Sequence, residues 1–589
     1  MNLRHRVLGA LCAITLATVT LLNAGAAQAN SSANDSSSPP PNSSASVSSG
    51  ASTTGAPVSS AISSPALTNA LSLDPYNGHA PVVNVSAESV DPTLDAYIAQ
   101  VAYGPNPNDP ASVPQVIEPI APDGVSLRLF PYPFKAMLAI ESDADHMTLR
   151  KFNIVHEFLN TKAETPLGRG LGLDVSDSFF MYNGSNIPAV IDYQGQTLHD
   201  EMTFFKGTSH QLNDGAIILH YIKAGWIDTF HSVGDFSRVN QHTTVFKRSQ
   251  TAYAMAYLER HGVHITIFTD HGNQSNVGNF GAYGIDAFED YQQGDNPSSP
   301  YYVTDLLHHE GVRFVWPDLF SDRYSYPTMI FPIPLRDGRT MWGFWRFTGT
   351  LRIDRGHRLW RYDWTDLWNP SLLAQELTPA RLNELVQTHG FTVIATHLEG
   401  NADKNPLSTS AVEALTRLAH MQDRGQILVA RTSRLLQYNL VRQYLSYQTW
   451  VHSGTTFINV LSVNDPVDGA FVPTWQQMRG ITFNVRSPGH TVLMIRGLRL
   501  PRNLRYVSAH TVGVKWYPPD TKNYAVWSTA ELALQQSQRQ ADAGGTMNVL
   551  GLVRSDWWLG SLAILVIVFG TVWGLTRRRS RRKSRKGRR

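Results

Sequence analysis

Carboxylates and histidines recur in this sequence directly after short apolar runs. Asp143 and Asp145 follow the run Ala136–Ile140 and stand one residue apart. Two carboxylates at this spacing can hold a cation, and one of them can also act as a base. An aspartate in front of a helix also satisfies free backbone amides, so a capping role is an equal alternative for the pair.

A histidine and an aspartate follow a later apolar run in the same way. His231 and Asp235 are four residues apart, and they would share one face if a helical turn began there. Such nitrogen and oxygen donors suit Zn²⁺ or a similar divalent ion. The alternative is a histidine in a turn followed by a capping aspartate.

Three further apolar runs end in polar or aromatic residues of the same kind. His271 and Asn273 follow the first of these runs, Trp316 and Asp318 close the second, and His397 follows the third. A single histidine in such a place is more often a hydrogen-bonded structural residue than a ligand. Five successive apolar runs that end in His, Asp or Trp predict an enzyme.

The elements that would position these residues are strands of a parallel α/β sheet. Between residues 127 and 448, short apolar runs alternate with longer segments of helical spacing, which predicts seven strands in a parallel sheet. We expect the sheet to close into a barrel, although periodicity alone does not distinguish a barrel from an open sheet. In such folds the active site lies at the carboxyl ends of the strands. Residues 449–519 have alternating, turn-rich sequence and predict a small antiparallel β-domain.

Both ends of the chain predict a membrane-anchored protein with its large N-terminal part outside the cytoplasm. Arg4 and Arg6 precede an apolar run that ends in Ala-Gln-Ala, as in a secretory signal. Trp557–Thr576 is uncharged and long enough to cross the bilayer, and a basic, cytoplasmic tail follows it. The predicted segments are a signal peptide (1–29), a Ser/Pro-rich linker (30–72), a lead-in (73–126), a stalk (520–556), the transmembrane helix (557–576) and the tail (577–589).

The net charge and the cysteine content limit the partners and the metal ligands that the protein can have. The net charge of +3 includes ten Lys or Arg in the tail, so the rest of the chain is acidic and predicts no nucleic-acid partner. Cys12 is the only cysteine and lies in the signal peptide. Any metal ion in the mature protein must therefore be held by histidines and carboxylates.

From about Phe134 to Tyr447 the order of these motifs resembles the NodB-like polysaccharide deacetylases, which are metal-dependent carbohydrate esterases. That family has an acidic pair after the first strand, and Ser142-Asp143-Ala144-Asp145 stands there. Its His-Ser/Thr-x-x-His motif is matched by residues 231–235 except at the last position, where Asp235 replaces histidine. Its late histidine is matched by Thr396-His397.

The resemblance implies a (β/α)7 barrel, one divalent ion, expected to be Zn²⁺, and a polysaccharide substrate. Because of Asp235, either an Asp-His-Asp set holds the ion or His271 completes the site. Ala144 separates the acidic pair, which leaves open whether Asp143 or Asp145 is the ligand. The implied roles are Asp143 as base and His397 as acid, Asp145, His231, Asp235 and His271 at the metal, and Trp316, Asp318, Asn273 and Trp342 against the substrate.

We therefore expect an outward-facing hydrolase that removes acetyl groups from an envelope or extracellular polysaccharide. One alternative is a glycoside hydrolase on the same barrel, which would use two carboxylates and need no metal. Another is a catalytically inactive glycan-binding or assembly protein. The carboxylates open to a glycoside hydrolase are Glu141, Asp270, Asp318 and Glu399.

Overall fold

The computed structural model describes residues 124–187, 201–282, 291–318, 320–321, 323–348, 352–354, 359–361, 370–400 and 405–527. The predicted signal peptide, linker, transmembrane helix and basic tail lie outside these residues, as do nearly all of the lead-in and most of the stalk. Among the described residues, no helix has the length and apolar character that crossing a membrane requires.

Most of the described chain alternates between strands and helices. Up to residue 444 the strands are β1 (Ser126–Leu127), β2 (Ala136–Ser142), β3 (Glu164–Thr165), β4 (Gly168–Arg169), β5 (Ser176–Phe179), β6 (Tyr182–Asn183), β7 (Ile227–His231), β8 (Gly234–Asp235), β9 (Ile267–Thr269), β10 (Phe314–Trp316), β11 (Phe320–Ser321), β12 (Ile330–Pro334), β13 (Thr340–Phe344), β14 (Arg346–Phe347), β15 (Arg352–Asp354), β16 (Leu359–Arg361), β17 (Phe391–Thr396) and β18 (Ile427–Val429). The α-helices are α1 (Leu149–Asn160), α2 (Gly215–Ala224), α3 (Arg248–Arg260), α4 (Thr304–Glu310), α5 (Leu373–Glu376), α6 (Pro379–Gln387), α7 (Thr409–Asp423) and α8 (Thr432–Tyr444).

The main sheet is built around five parallel neighbours, in the order β2, β5, β7, β9 and β10. Strand β17 lies parallel on the other side of β2, and β18 pairs with the amino half of β2. Strand β13 runs parallel to β10, and β14 runs parallel to β17. All seven residues of β2 are buried, as expected of a parallel strand that is covered on both faces.

The prediction of a (β/α)7 barrel is wrong, because the main sheet is curled but mixed. Strand β12 runs antiparallel to β13, and this hairpin takes the place of a helix between β10 and β13. Pro332 and Pro334 lack the N–H group that a central strand must donate, so β12 suits the end of the sheet. Asp337-Gly338, with Gly338 at φ +83°, supplies the turn. The eight α-helices in the described residues consequently do not alternate one for one with parallel strands.

Three helices in the described residues, α1, α6 and α7, begin at a side chain that caps them. The Thr148 hydroxyl accepts from the backbone N–H of Lys151 at the start of α1, and Ser408 accepts from Ala411 at the start of α7. These hydroxyls satisfy amides that have no partner within the helix. One apolar stripe of each helix, including Phe152 in α1, is buried against the sheet.

The last part of the described chain forms two small sheets. Its strands are β19 (Leu445–His452), β20 (Thr455–Asp465), β21 (Gly469–Phe471), β22 (Thr482–Asn484), β23 (Thr491–Ile495), β24 (Leu498–Arg499), β25 (Arg505–Val507) and β26 (Thr511–Val514). The sheet β1-β22-β26-β25 is antiparallel throughout. In the other sheet β20 and β23 run parallel, so the prediction of an antiparallel β-domain is wrong for that pair.

This β-region is joined to the amino ends of the main-sheet strands by a buried carboxylate. Asp465, at the end of β20, accepts from the Arg313 guanidinium at 2.8 Å and from the Trp342 indole N–H at 3.1 Å. Arg313 precedes β10, and Trp342 pairs with Phe314 at the start of that strand. The carboxyl ends of the same strands lie at the opposite edge of the sheet.

Candidate metal centre

Four strands bring titratable side chains together at the carboxyl edge of the main sheet. Asp143 and Asp145 follow β2, His231 ends β7, His271 follows β9 and His397 follows β17. All five side chains are buried or nearly so. Several strand exits also contain a non-glycine residue with positive φ, which is uncommon and concentrates at functional sites: His146, Ser232, Asn273 and Asp318.

Asp145, His231 and His271 form a buried group that can hold a metal ion. His231 Nε2 lies 3.3 Å from Asp145 Oδ2, and His271 Nδ1 lies 3.3 Å from Asp145 Oδ1. The two ring nitrogens, His231 Nε2 and His271 Nδ1, are 2.8 Å apart. Donors about 2.0–2.2 Å from a tetrahedral ion are separated by about 3.3–3.6 Å, which matches both histidine–aspartate distances. The two nitrogens, at hydrogen-bond distance, would move apart by about 0.5 Å to hold a divalent cation together with Asp145.

Asp235 also lies at this centre, but on the far side of the His271 ring. Its Oδ1 is 3.2 Å from His271 Nε2, the nitrogen that faces away from Asp145. No helical turn begins at His231, and Asp235 instead lies in β8, which pairs in parallel with β6. Among the predicted ligands, the structure therefore groups Asp145, His231 and His271 and places Asp235 behind His271.

Asp143 is held by an arginine that the sequence analysis missed. Arg346 Nη2 lies 2.9 Å from each oxygen of the Asp143 carboxylate, and His231 Nδ1 lies 3.1 Å from Oδ1. Burial alone would raise the pKa of Asp143, but the charges of Arg346 and His231 outweigh it and hold the pKa at about 2. Asp143 is thus an ionised carboxylate at the edge of the cation site.

Arg346 reaches this position because β14 continues almost directly from β13 towards the carboxyl edge. Its guanidinium carbon lies 4.3 Å from the centre of the Trp316 ring, and its Nε lies 3.6 Å from Glu141. The face of the Trp316 ring and the carboxyl groups of Asp143 and Glu141 therefore surround the buried Arg346 guanidinium. In the sequence, Arg346 is the one charged residue in the apolar run Met341–Phe347, and this feature could have marked it as a candidate site residue.

His397 lies on another side of the two aspartates. Its Nε2 is 3.8 Å from Asp143 and 3.7 Å from Asp145, while its Nδ1 is 3.3 Å from Glu399. Burial opposes a charge on this ring, but Glu399 and Asp145 raise the pKa of His397 to about 9. Burial raises the pKa of Glu399 to about 7.

The electrostatics of the group favour positive charge at its centre. Burial disfavours charge on His271, yet Asp145 and Asp235 raise its pKa to about 9. Burial likewise opposes charge on Asp145, but His271 and His231 lower the pKa of that carboxyl. A proton on the His271 ring offsets the charge of the neighbouring carboxylates, and a divalent ion would replace that proton.

Of the four residues expected against the substrate, three lie at the carboxyl edge of the sheet and one lies at the amino edge. Asn273 is buried two residues beyond His271, and its Nδ2 has no hydrogen-bond partner among the described residues. Trp316 and Asp318 lie at the end of β10 beside Arg346. Trp342 is buried at the amino edge against Asp465, so the structure does not bring it to the centre.

Two other carboxylates, Asp270 and Glu201, lie close to the candidate metal centre and have hydrogen-bond partners of their own. Asp270, considered for a glycoside hydrolase, accepts from the Phe280 backbone at 3.2 Å and the Gln292 amide at 2.6 Å. Glu201 was missed by the sequence analysis because it follows no apolar run. It accepts from the His146 backbone N–H at 3.0 Å, and burial together with the charge of Asp235 raises its pKa.

No protein-family model matches this chain, and no curated protein sequence matches it either.

Proposed function

We propose that the protein is a metal-dependent hydrolase that removes acetyl groups from an envelope or extracellular polysaccharide, with its N-terminal part outside the cell membrane. One observation carries the proposal. A donor set for one divalent ion, centred on Asp145, is bordered by an ionised carboxylate, Asp143, and by a protonated imidazole, His397. Metal-dependent hydrolysis of an amide or ester uses these three functions together.

The donor set favours Zn²⁺. Two imidazole nitrogens and one carboxylate oxygen match catalytic zinc sites, which leave a further position open. When bound, a zinc ion polarises an acyl carbonyl and lowers the pKa of water towards about 7. Asp145, His231 and His271 are the residues that would hold it.

Asp143 is the base in this proposal. Its low pKa keeps it ionised, and Arg346 fixes both of its oxygens at 2.9 Å. A carboxylate held in one orientation can accept a proton from water without first reorganising. Such general base catalysis typically accelerates a reaction by about 10²–10⁴-fold.

His397 is the acid. Glu399 lies 3.3 Å from its Nδ1 and stabilises the charged ring, so Nε2 carries a proton at neutral pH. That nitrogen points towards the two aspartates and can donate its proton to the departing amine or hydroxyl. Asn273 Nδ2, a buried donor, is available to a carbonyl or sugar oxygen of the substrate.

The polysaccharide class rests on the NodB-like order of the motifs and on the expected extracytoplasmic location. The test is acetate release from a panel of acetylated glycans by the full-length, zinc-loaded protein. We expect release by the wild type and none by His231→Ala, with ion content falling in the same variant. Asp305→Asn, which removes one carboxylate of a distant Arg248 ion pair, is the matched control.

A folded wild type that binds no divalent ion under metal-replete conditions would contradict the proposal. Equal acetate release by the wild type and His231→Ala would contradict it as well. Chain cleavage without acetate release would instead favour a glycoside hydrolase.

A further inference from the structure

The two nitrogens of His271 face different partners. Nδ1 faces the cation donors, 3.3 Å from Asp145 and 2.8 Å from His231 Nε2. Nε2 faces outward, 3.2 Å from Asp235 Oδ1 and 3.3 Å from the Ser237 hydroxyl. The imidazole ring therefore lies between Asp235 and the other two donors.

This arrangement decides which nitrogen can bind a cation. A neutral imidazole has one N–H and one lone pair, and a metal ligand must present the lone pair. Once a cation occupies the donor set beside Nδ1, the ring proton belongs on Nε2, where the Asp235 carboxylate at 3.2 Å accepts it, and the lone pair stays on Nδ1. Carboxylates that hold ligating histidines in this way fix both the tautomer and the ring orientation.

Asp235 is itself held firmly in place. Its Oδ1 also accepts from the Ser237 backbone N–H at 2.8 Å, and its side chain is buried. Gly234 allows β8 to approach β6, because a Cβ at that position would lie 2.4 Å from the Tyr182 carbonyl oxygen. Asn276 supports the same loop by accepting from the Phe236 N–H at 2.8 Å.

We propose that Asp235 is a positioning residue and not a ligand: it accepts the Nε2–H of His271 and so presents Nδ1 to a divalent cation. The inference rests on the cation site of the proposed function, but not on deacetylation. It also explains how an aspartate is accommodated at the last position of the residue 231–235 motif. The second imidazole comes from the next strand, β9, and the aspartate supports it from behind.

The test compares divalent-ion affinities of the full-length protein and two variants. Zinc affinity is measured by competition with a chromophoric chelator, and cobalt binding by its visible absorption spectrum. We expect Asp235→Ala to weaken zinc binding by about 10–100-fold, as outer partners of metal ligands typically do. Asp235→Asn keeps an oxygen that can accept from Nε2, so its affinity should be substantially restored, with the cobalt bands of the wild type.

Asp305→Asn is the control for loss of a carboxylate, and circular dichroism verifies the fold of each variant. Zinc affinity in Asp235→Ala equal to wild type would overturn the proposal. Loss of binding in Asp235→Asn as severe as in Asp235→Ala, with altered cobalt bands, would make Asp235 a direct ligand and overturn it too. Affinities that follow the expected order, in a protein that releases no acetate, would uphold the role of Asp235 and reject deacetylation.

Discussion

The two edges of the main sheet each contain an arginine, a tryptophan and a buried aspartate, and they use them differently. At the amino edge, Asp465 accepts from Arg313, from the Trp342 indole and from the backbone N–H of Val467 at 2.9 Å. Donors thus occupy both of its oxygens. This carboxylate joins the β-region to the main sheet.

At the carboxyl edge, Asp143 shares Arg346 with Glu141, and the Trp316 ring face lies against the same guanidinium. The carboxylate also faces the ring nitrogens of two histidines. Charge here is balanced only across the whole group, so protons and cations can be exchanged. The difference teaches that the same residue types give a structural link where fixed donors surround the carboxylate, and a candidate functional centre where titratable histidines share it.

The largest effect should come from Asp143→Asn. The variant keeps the shape of the side chain but loses the proton acceptor, so we expect kcat to fall by about 10³-fold. Acetate release and zinc content are measured on the same preparation. A fall in ion content parallel to the fall in kcat would assign Asp143 to the metal instead of to proton transfer.

At the opposite edge, Asp465→Ala should destabilise the protein by about 2–3 kcal/mol, because it leaves the Trp342 N–H and part of the Arg313 guanidinium without their acceptor. Urea unfolding gives the free-energy change. Zinc affinity of the folded variant should remain that of the wild type. A loss of affinity without a loss of stability would show that the two edges are coupled.

A pH-dependent effect is expected from Glu141→Gln. Burial raises the pKa of Glu141 from 4.5 to about 8, against the opposing pull of Arg346. A carboxyl with a raised folded-state pKa contributes stability that is complete below about pH 4.5 and is lost as pH rises towards about 8. Because glutamine cannot ionise, the melting temperature of the variant should rise relative to wild type between pH 5 and 8.

Thermal unfolding in the presence of a chelator measures this difference without a contribution from bound metal. A difference in melting temperature that stays constant across the pH range would show that Glu141 has an ordinary pKa. The effect would then be one of packing alone.

Much of the main sheet could be predicted because its strands are short apolar runs buried on both faces. The runs before Asp143, His271 and His397 all correspond to strands. The β12–β13 hairpin was missed because its prolines argue against a central strand, and whether it lies at the end of a sheet depends on distant partners. The parallel pairing of β20 with β23 could not be read from alternation, which is the same for either direction.

Residues of the candidate centre could be predicted where a polar side chain stands at or directly after the end of a strand. Asp143, Asp145, His231, His271 and His397 were identified in this way. Arg346 was not, since a lone charge in an apolar run has no defined partner until the strands are placed. The role of Asp235 depends on which nitrogen of His271 faces it, and sequence spacing contains no information on ring orientation.

The candidate donors Asp145, His231 and His271 come from three strand exits spread between residues 145 and 271. No short stretch of chain contains the set, so high affinity for an ion arises only after distant parts of the sheet have paired. Loading of the proposed site would therefore be a late event in folding. If the predicted secretory signal directs export, the supply of ions outside the cytoplasm would influence which metal enters.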